Sequence, residues 1–429
     1  MTSEQCRVKN LGPRTVRSPL NFTEAGFISD DARIRSQVRI PADSQAGEEA
    51  MFEQAGPRER IYFDPSRTRA AVVTCGGLCP GINNVIRSLF MQLHHRYGVK
   101  EVAGIRYGYG GFRPDAVAGP IRITAELVEQ IHQQGGTVLG SSRGPVDPAL
   151  IVEYMERERI NILFGIGGDG TNRGLHAVVE EAERRGGKIA VVGVPKTIDN
   201  DIAFVWRTFG FVTAVARARD VITCAHVESK GAPNGIGLVK LMGRDSGFIA
   251  AAATLASQDV NFTLIPEVPF RLDGPSGFLA ALERRIGERH HAVIVVAEGA
   301  GQDLCPKSEV RRDASGNILH NDIGAVLRDA IRDHFAASHV PINLRYIDPS
   351  YYIRSVPADT GDALYCDQLA RYAVDAAMAG KTDLLIGDWY GCFVHVPLPL
   401  AISERKRINP DGDLWKAVLH ATGQPAHFM

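Results

Sequence analysis

INILFGIGGDGTNRGLHAVVEEAERRGGKIAVVGVPKTIDND, residues 160–201, contains the architecture in miniature. The apolar run INILFGI (160–166) ends in a glycine-rich turn, GGDGTNRG (167–174). A helical pattern through Leu175, Val178 and Val179 comes next and stops at Arg184, Arg185, Gly186 and Gly187, basic residues followed by glycine being a sound helix stop. The next apolar run, IAVVGV (189–194), delivers PKTIDND (195–201). Strand, turn, helix and strand in this order predict α/β architecture with mainly parallel sheets.

Three further runs repeat the design. AAVVT (70–74) leads into CGGLCPG and a helix whose apolar face takes Ile82, Val85, Ile86, Leu89, Phe90 and Leu93. IGLVKL (236–241) leads into MGRDSG and the helix FIAAAATLA, and AVIVVA (292–297) leads into EGAG. Five predicted strands thus deliver a polar or glycine-rich loop at their carboxyl ends, where open parallel sheets bind ligands. The helix patterns GAVLRDAIRDHF (324–335) and DALYCDQLARYAVDAAMAG (362–380) flank a polar segment, RYIDPSYYIRS (345–355). Two Rossmann-like lobes of similar build, exchanging terminal segments, fit this order better than a solenoid. Residues 1–60 are polar, broken by Pro13, Pro19, Pro41 and Pro57, and read as an extension that wraps the body or stays mobile.

With 429 residues, 45% apolar and 23% charged, and a formal net charge of -1, the chain has neither a disordered nor a nucleic-acid-coating composition. No apolar run approaches the roughly 18 residues of a membrane span, and the start lacks the apolar core of a secretory signal, so a cytoplasmic location is expected. The first twenty residues carry Arg7, Lys9, Arg14 and Arg17 against Glu4, which faintly resembles a transit peptide; a solvated tail is the simpler reading. Seven scattered cysteines, with Cys75 and Cys79 the only close pair, fit reduced thiols rather than a zinc site or a disulfide framework.

The loops carry the chemistry. Asp169 sits among glycines at a predicted helix start, where amides and the helix dipole attract anions; an acid there suits a cation that in turn holds phosphate, or else it caps the helix. Gly76 and Gly77 would let a polyphosphate approach the backbone, or simply make a tight turn. No GxxxxGK[ST] occurs, so the site is not of the Walker type. In SSRGP (141–145), Arg143 offers a planar fork for phosphoryl oxygens. TIDND places Thr197, Asp199, Asn200 and Asp201 just after a buried strand, and capping explains one carboxylate but not both. Asp199 suits a general base and Asp201 the orientation of a metal-bound water. Arg244, Arg345 and Arg354 are candidates for an unreactive phosphate, and Glu298 for sugar hydroxyls; a surface ion pair or a helix cap is the plain alternative for each.

Taken together and in order, these loops resemble the phosphofructokinase family over residues of about 60 to 400. The resemblance implies an ATP-dependent 6-phosphofructokinase, a magnesium-requiring enzyme of glycolysis that phosphorylates the 1-hydroxyl of fructose 6-phosphate. It implies donor contacts from Gly77, Tyr109, Arg143, Gly144, Gly168, Asp169, Gly170 and Thr171, with Asp169 on magnesium and Tyr109 beside the adenine. Thr197, Ile198 and Asp199 fall on the sugar and catalytic-base positions. Met242, Gly243, Arg244, Glu298, Arg345, Tyr351 and Arg354 fall on the fructose 6-phosphate site. It further implies a homo-oligomer, a tetramer, with no nucleic-acid or membrane partner. The lobes implied are a nucleotide-binding one at 61–210, joined by about 355–400, and a sugar-phosphate one at 211–354, joined by 401–429.

Two departures matter. Gly235 stands where compact bacterial relatives carry an arginine, and Lys196 stands before Thr197, as in the pyrophosphate-using branch and its long-chain ATP-using relatives. Pyrophosphate users place an acid after the metal aspartate, whereas Gly170 leaves that space open, so ATP is the expected donor. A pyrophosphate-dependent enzyme is the nearest alternative. A dehydrogenase rests only on GxGxxG and lacks the acid expected about 20 residues on, Lys188 beginning the next strand instead. A catalytically silent sugar-phosphate sensor would not need both Asp169 and Asp199.

Overall fold

Parallel strands Arg69–Thr74, Ile162–Gly167 and Ala190–Pro195 form the centre of the first lobe, with Ala70 opposite Ile162 and Val194 opposite Ile166. They are covered on both faces, which is why they read as unbroken runs of Ala, Val, Ile and Phe rather than as an alternation. The computed structural model describes residues 1–23, 26–37, 50–306, 312 and 318–429. Glu101–Ile105 and Leu384–Trp389 continue the sheet in parallel on its two sides. Antiparallel Ile121–Arg122, Cys392–Pro397, Met51–Gln54 and Arg33–Arg35 complete nine strands. The helix Asp169–Arg184 lies directly on this sheet because Gly165 has no side chain: a Cβ there would collide with Leu175.

The second lobe is a parallel four-stranded sheet in the order Phe262–Leu264, His291–Ala297, Gly235–Leu241, Asn343–Ile347. Helix Phe211–Lys230 packs on this sheet and on helix Phe248–Ser257, and also touches helix Thr360–Met378 of the first lobe. A single apolar cluster consequently runs from Val72 and Val192 through Ala218 and Ile222 to Val239 and Val295. At the chain's end, helix Asp413–Thr422 packs on Phe248–Ser257, and Gln424 accepts from the Thr263 amide at 2.6 Å.

Within the first sixty residues, the described part lies on the body. Lys9–Asn10 pairs with Lys381–Thr382, and Val16–Arg17 with Arg60–Ile61. Glu53, on the edge strand Met51–Gln54, is buried against Lys381 Nζ (2.7 Å), Arg58 Nη2 (3.0 Å) and His395 Nδ1 (3.3 Å). Burial alone would raise its carboxyl, but the His395 ring and the Lys381 ammonium together hold it far below the usual range. No helix among the described residues is long and apolar enough to cross a membrane.

Candidate active site

Most of the candidate residues lie on loops or helix starts that follow the carboxyl ends of Arg69–Thr74, Ile162–Gly167, Ala190–Pro195, Gly235–Leu241 and His291–Ala297. Arg69–Thr74 delivers Gly76, whose φ of 86° needs glycine, and Gly77; the Gly76 amide donates to the Ser142 carbonyl, and Ser141 Oγ donates back to the Gly76 carbonyl at 2.6 Å. This pairing brings Arg143 and Gly144 beside the glycine turn. A Cβ on Gly77 would lie 3.3 Å from Arg354 and 3.5 Å from Arg143, so two guanidiniums from distant segments converge on one glycine. Gly76, Gly77, Arg143, Tyr351 and Arg354 all line a cleft of about 710 Å³. Arg354 lies against the Tyr351 ring, and burial together with Arg143 pushes its pKa down.

Lys196, in the sequence only a marker of branch, is a buried cation beneath this turn. Its Nζ donates to the Gly77 carbonyl at 2.6 Å, and desolvation pulls its pKa down.

Gly168 caps the helix Asp169–Arg184, and Asp169 is its first residue, with no side-chain cap. Its carboxylate faces Arg173 Nε at 3.2 Å and Arg405 Nη2 at 3.5 Å instead. Gly170 is exposed, and a Cβ there would meet nothing within 4 Å. Thr171 is buried, and its carbonyl accepts from Tyr109 Oη at 2.7 Å. The Tyr109 ring packs on Gly174 and is itself buried, so its placement joins loop to helix rather than presenting an open ring face.

After Ala190–Pro195 the chain forms a stitched loop. Thr208 donates through Oγ1 to the Thr197 carbonyl (2.6 Å) and through its amide to Asn200 Oδ1 (3.0 Å), with Asn200 at φ 55°. Thr197 Oγ1 accepts from the Asp199 amide at 3.1 Å, while Ile198 points into the apolar core and leaves only backbone for a ligand. The next helix is capped by Gly210, so neither Asp199 nor Asp201 is spent on capping. Asp199 is only 8% exposed, and burial, then Asp201 and Glu298, push its pKa up to about 7 against the pull of Arg244, whose Nε lies 3.8 Å away. Burial also raises Asp201, which feels Asp169 as well as Asp199.

From the second lobe come Met242, half-buried, Gly243 at φ 144°, and Arg244. Glu298 folds onto this loop and accepts from the Gly243 and Arg244 amides at 3.4 and 2.9 Å; it caps no helix. Arg345 stands apart. It is exposed in the middle of an edge strand, opposite Gly237, and Tyr351 is 73% exposed.

Two residues outside every motif complete the junction. Arg405 spans Asp169 of the first lobe and Asp245 of the second, the latter at 3.1 Å. Lys406 donates to Asn200 Oδ1 at 3.1 Å and to the Val205 and Trp206 carbonyls at 2.8 and 2.9 Å, and burial pushes its pKa down to about 7. The run ERKRIN (404–409) is a visible basic cluster, but the apolar stretch before it, VPLPLAI (396–402), is broken by two prolines and does not read as a strand that delivers a site loop.

No group of three or more His, Cys, Asp or Glu side chains that could hold a metal ion occurs among the described residues. A lone Asp169 with Asp201 nearby suits magnesium, which keeps waters and is bound through one or two carboxylates plus substrate phosphates.

Residues 69–377 match the family model described as Phosphofructokinase. A relative from Borreliella burgdorferi, "ATP-dependent 6-phosphofructokinase", is 49% identical, covering 98% of this chain and 96% of its own length. One of the same name from Amycolatopsis methanolica is 50% identical over 88% of this chain and 83% of its own. Among solved structures, a pyrophosphate-dependent phosphofructokinase from Marinobacter aquaeolei aligns with a TM-score of 0.67 over 83% of this chain and 91% of that one. At 21% identity it speaks for the fold alone. Matched family model, near-full-length relatives and shared fold agree: the chain belongs to the phosphofructokinase family.

Proposed function

We propose that the protein is an ATP-dependent 6-phosphofructokinase, transferring the γ-phosphoryl of ATP to the 1-hydroxyl of fructose 6-phosphate. The observation that carries this reading is Asp199. A carboxylate held near neutrality by burial, facing Arg244 and electrostatically linked through Asp201 to Asp169, is poised to take a proton from a hydroxyl beside a phosphate site. Asp169, with Asp201 nearby, would hold a magnesium ion, which would supply charge neutralisation to the transferring group when bound. Arg143, with Lys196 beneath Gly77, offers positive charge to its oxygens, while Arg244 and Glu298 position the sugar phosphate. The open space at Gly170 supports ATP over pyrophosphate.

An exposed Arg345, not among the residues that line its own chain's cleft, suits reach into a neighbouring subunit in an oligomer such as the tetramer; light scattering that gives a monomer mass under assay conditions defeats that part. Seven unpaired thiols suit the reducing cytoplasm. A coupled assay of fructose 6-phosphate with ATP, then with pyrophosphate, tests the whole. Turnover with pyrophosphate alone transfers the reading to the pyrophosphate-dependent enzyme, and no turnover with either revives the sensor.

A further inference from the structure

Arg405 belongs to no motif, and its backbone is fastened on both sides. It bridges Ile202 in antiparallel fashion, the Lys406 amide donates to the Asp201 carbonyl at 2.9 Å, and Lys406 Nζ is held by Asn200 and two carbonyls. Farther on, the Ile408 amide donates to Glu267 Oε1 at 3.0 Å, the oxygen that also takes the Gly247 amide at 3.0 Å. A guanidinium is thereby delivered to a fixed place between the lobes, with Nη2 3.5 Å from Asp169 Oδ2 and Nη1 3.1 Å from Asp245 Oδ2.

We propose that Arg405 is a phosphoryl-binding residue of the cleft that guards Asp169 until magnesium and nucleotide arrive together. The proposal rests on the kinase reading above. Arg405 and a divalent cation repel each other, so a cation arriving alone at Asp169 must displace a fixed positive charge. A cation arriving with a polyphosphate brings oxygens that fit the planar fork, and Arg405 can turn Nη2 from carboxylate to phosphate while Nη1 stays on Asp245. The same residue then opposes free metal and favours the metal–nucleotide complex.

The test compares Arg405→Met and Arg405→Lys with the parent in three measurements: binding of magnesium with a non-hydrolysable ATP analogue, binding of Mn²⁺ alone followed by its spin-resonance signal, and steady-state turnover. Arg405→Met should weaken analogue binding about tenfold and lower kcat about a hundredfold, as loss of a phosphoryl-stabilising arginine does. Mn²⁺ alone should bind about threefold more tightly, because one competing cation has gone. Arg405→Lys, which keeps the charge without the fork, should show a smaller nucleotide loss and little metal gain, and it serves where the Met variant does not fold. A merely structural strap would move both affinities the same way. Analogue affinity within twofold of the parent, or metal and nucleotide affinity falling together, overturns the proposal. A parent that neither binds the analogue nor phosphorylates fructose 6-phosphate overturns the kinase reading itself.

Discussion

Replacing Gly170 with aspartate isolates the charge argument for donor choice, because the structure removes the usual confounders. The position is exposed, lies in the first turn of helix Asp169–Arg184 with φ outside the left-handed region, and has nothing within 4 Å of a Cβ. A helical glycine costs about 1 kcal/mol relative to alanine, and an acid in the first turn gains about 0.3–1 kcal/mol from the helix dipole, so melting should not fall. Against this stands a new carboxylate beside the donor. Two like charges about 4 Å apart repel by about 4 kcal/mol at an effective dielectric of 20. Halving that for solvent access leaves about 2 kcal/mol, or roughly a thirtyfold loss in kcat/KM for ATP at about 1.4 kcal/mol per decade. The assay couples fructose 1,6-bisphosphate formation to NADH oxidation, with ATP and pyrophosphate run in parallel and Gly170→Ala and Gly170→Asn as controls. Alanine should stay close to the parent, asparagine should lose little, and aspartate should lose most with ATP. A Gly170→Asp enzyme with parental melting and ATP efficiency within about threefold of the parent would refute the electrostatic account of donor choice.

Asp199→Asn should lower kcat by about 10²- to 10⁴-fold while shifting sugar-phosphate affinity only a few-fold; near-normal turnover removes the proposed base. In the parent, kcat/KM should fall tenfold per unit below about pH 7 as this carboxylate takes up its proton. The linkage runs the opposite way: with the folded pKa raised from 3.8 to about 7, this group's contribution to stability declines as pH rises between those values, and the Asn variant should lack that decline. Chelation with excess EDTA should abolish turnover, and Asp169→Asn should weaken binding of the magnesium–nucleotide complex more than binding of fructose 6-phosphate, measured by titration calorimetry. Lys381→Met leaves Glu53 buried with less compensation and should cost about 3–5 kcal/mol in denaturant unfolding. Because the Glu53 carboxyl is depressed, its stabilisation is present above the ordinary carboxylate range and is lost on acidification; an unchanged unfolding midpoint in the variant counts against the cluster.

The readable part of the molecule consists of apolar runs that end in glycine or acid. INILFGI and IAVVGV announce strands because both faces are covered, and each strand passes directly into a loop of the site. Helix Phe211–Lys230 is hidden from a pattern search because its buried face is Thr213, Ala214, Ala218, Ile222, Ala225 and Ser229. Small residues let it lie close between two packed layers, and they leave no apolar stripe to recognise. The hairpin Leu384–Trp389 and Cys392–Pro397 is likewise absent from the sequence expectations, although Tyr390 and Gly391, both at positive φ, are its turn. Glu53 and Lys381 are 328 positions apart, so no local pattern could pair them.

The same distinction separates the two kinds of site residue. Asp169, Asp199 and Arg244 are legible because each is a charged residue just past a strand in a motif; Lys196 also follows a strand, but its place beneath Gly77, like the contacts of Arg405, comes from partners that only the fold supplies. The apolar core is continuous across the lobes, yet at the cleft they meet through charge: Arg244 on Asp199, and Arg405 on Asp169 and Asp245. Partly desolvated ion pairs contribute little net stability because desolvation offsets their attraction. Exchanging a carboxylate for a phosphate oxygen at Arg405 therefore sacrifices little folding energy while binding the ligand directly. A hydrophobic junction at the same place would have to be broken to admit substrate, and that contrast explains why the lobes meet there through paired ions while the core beneath is apolar.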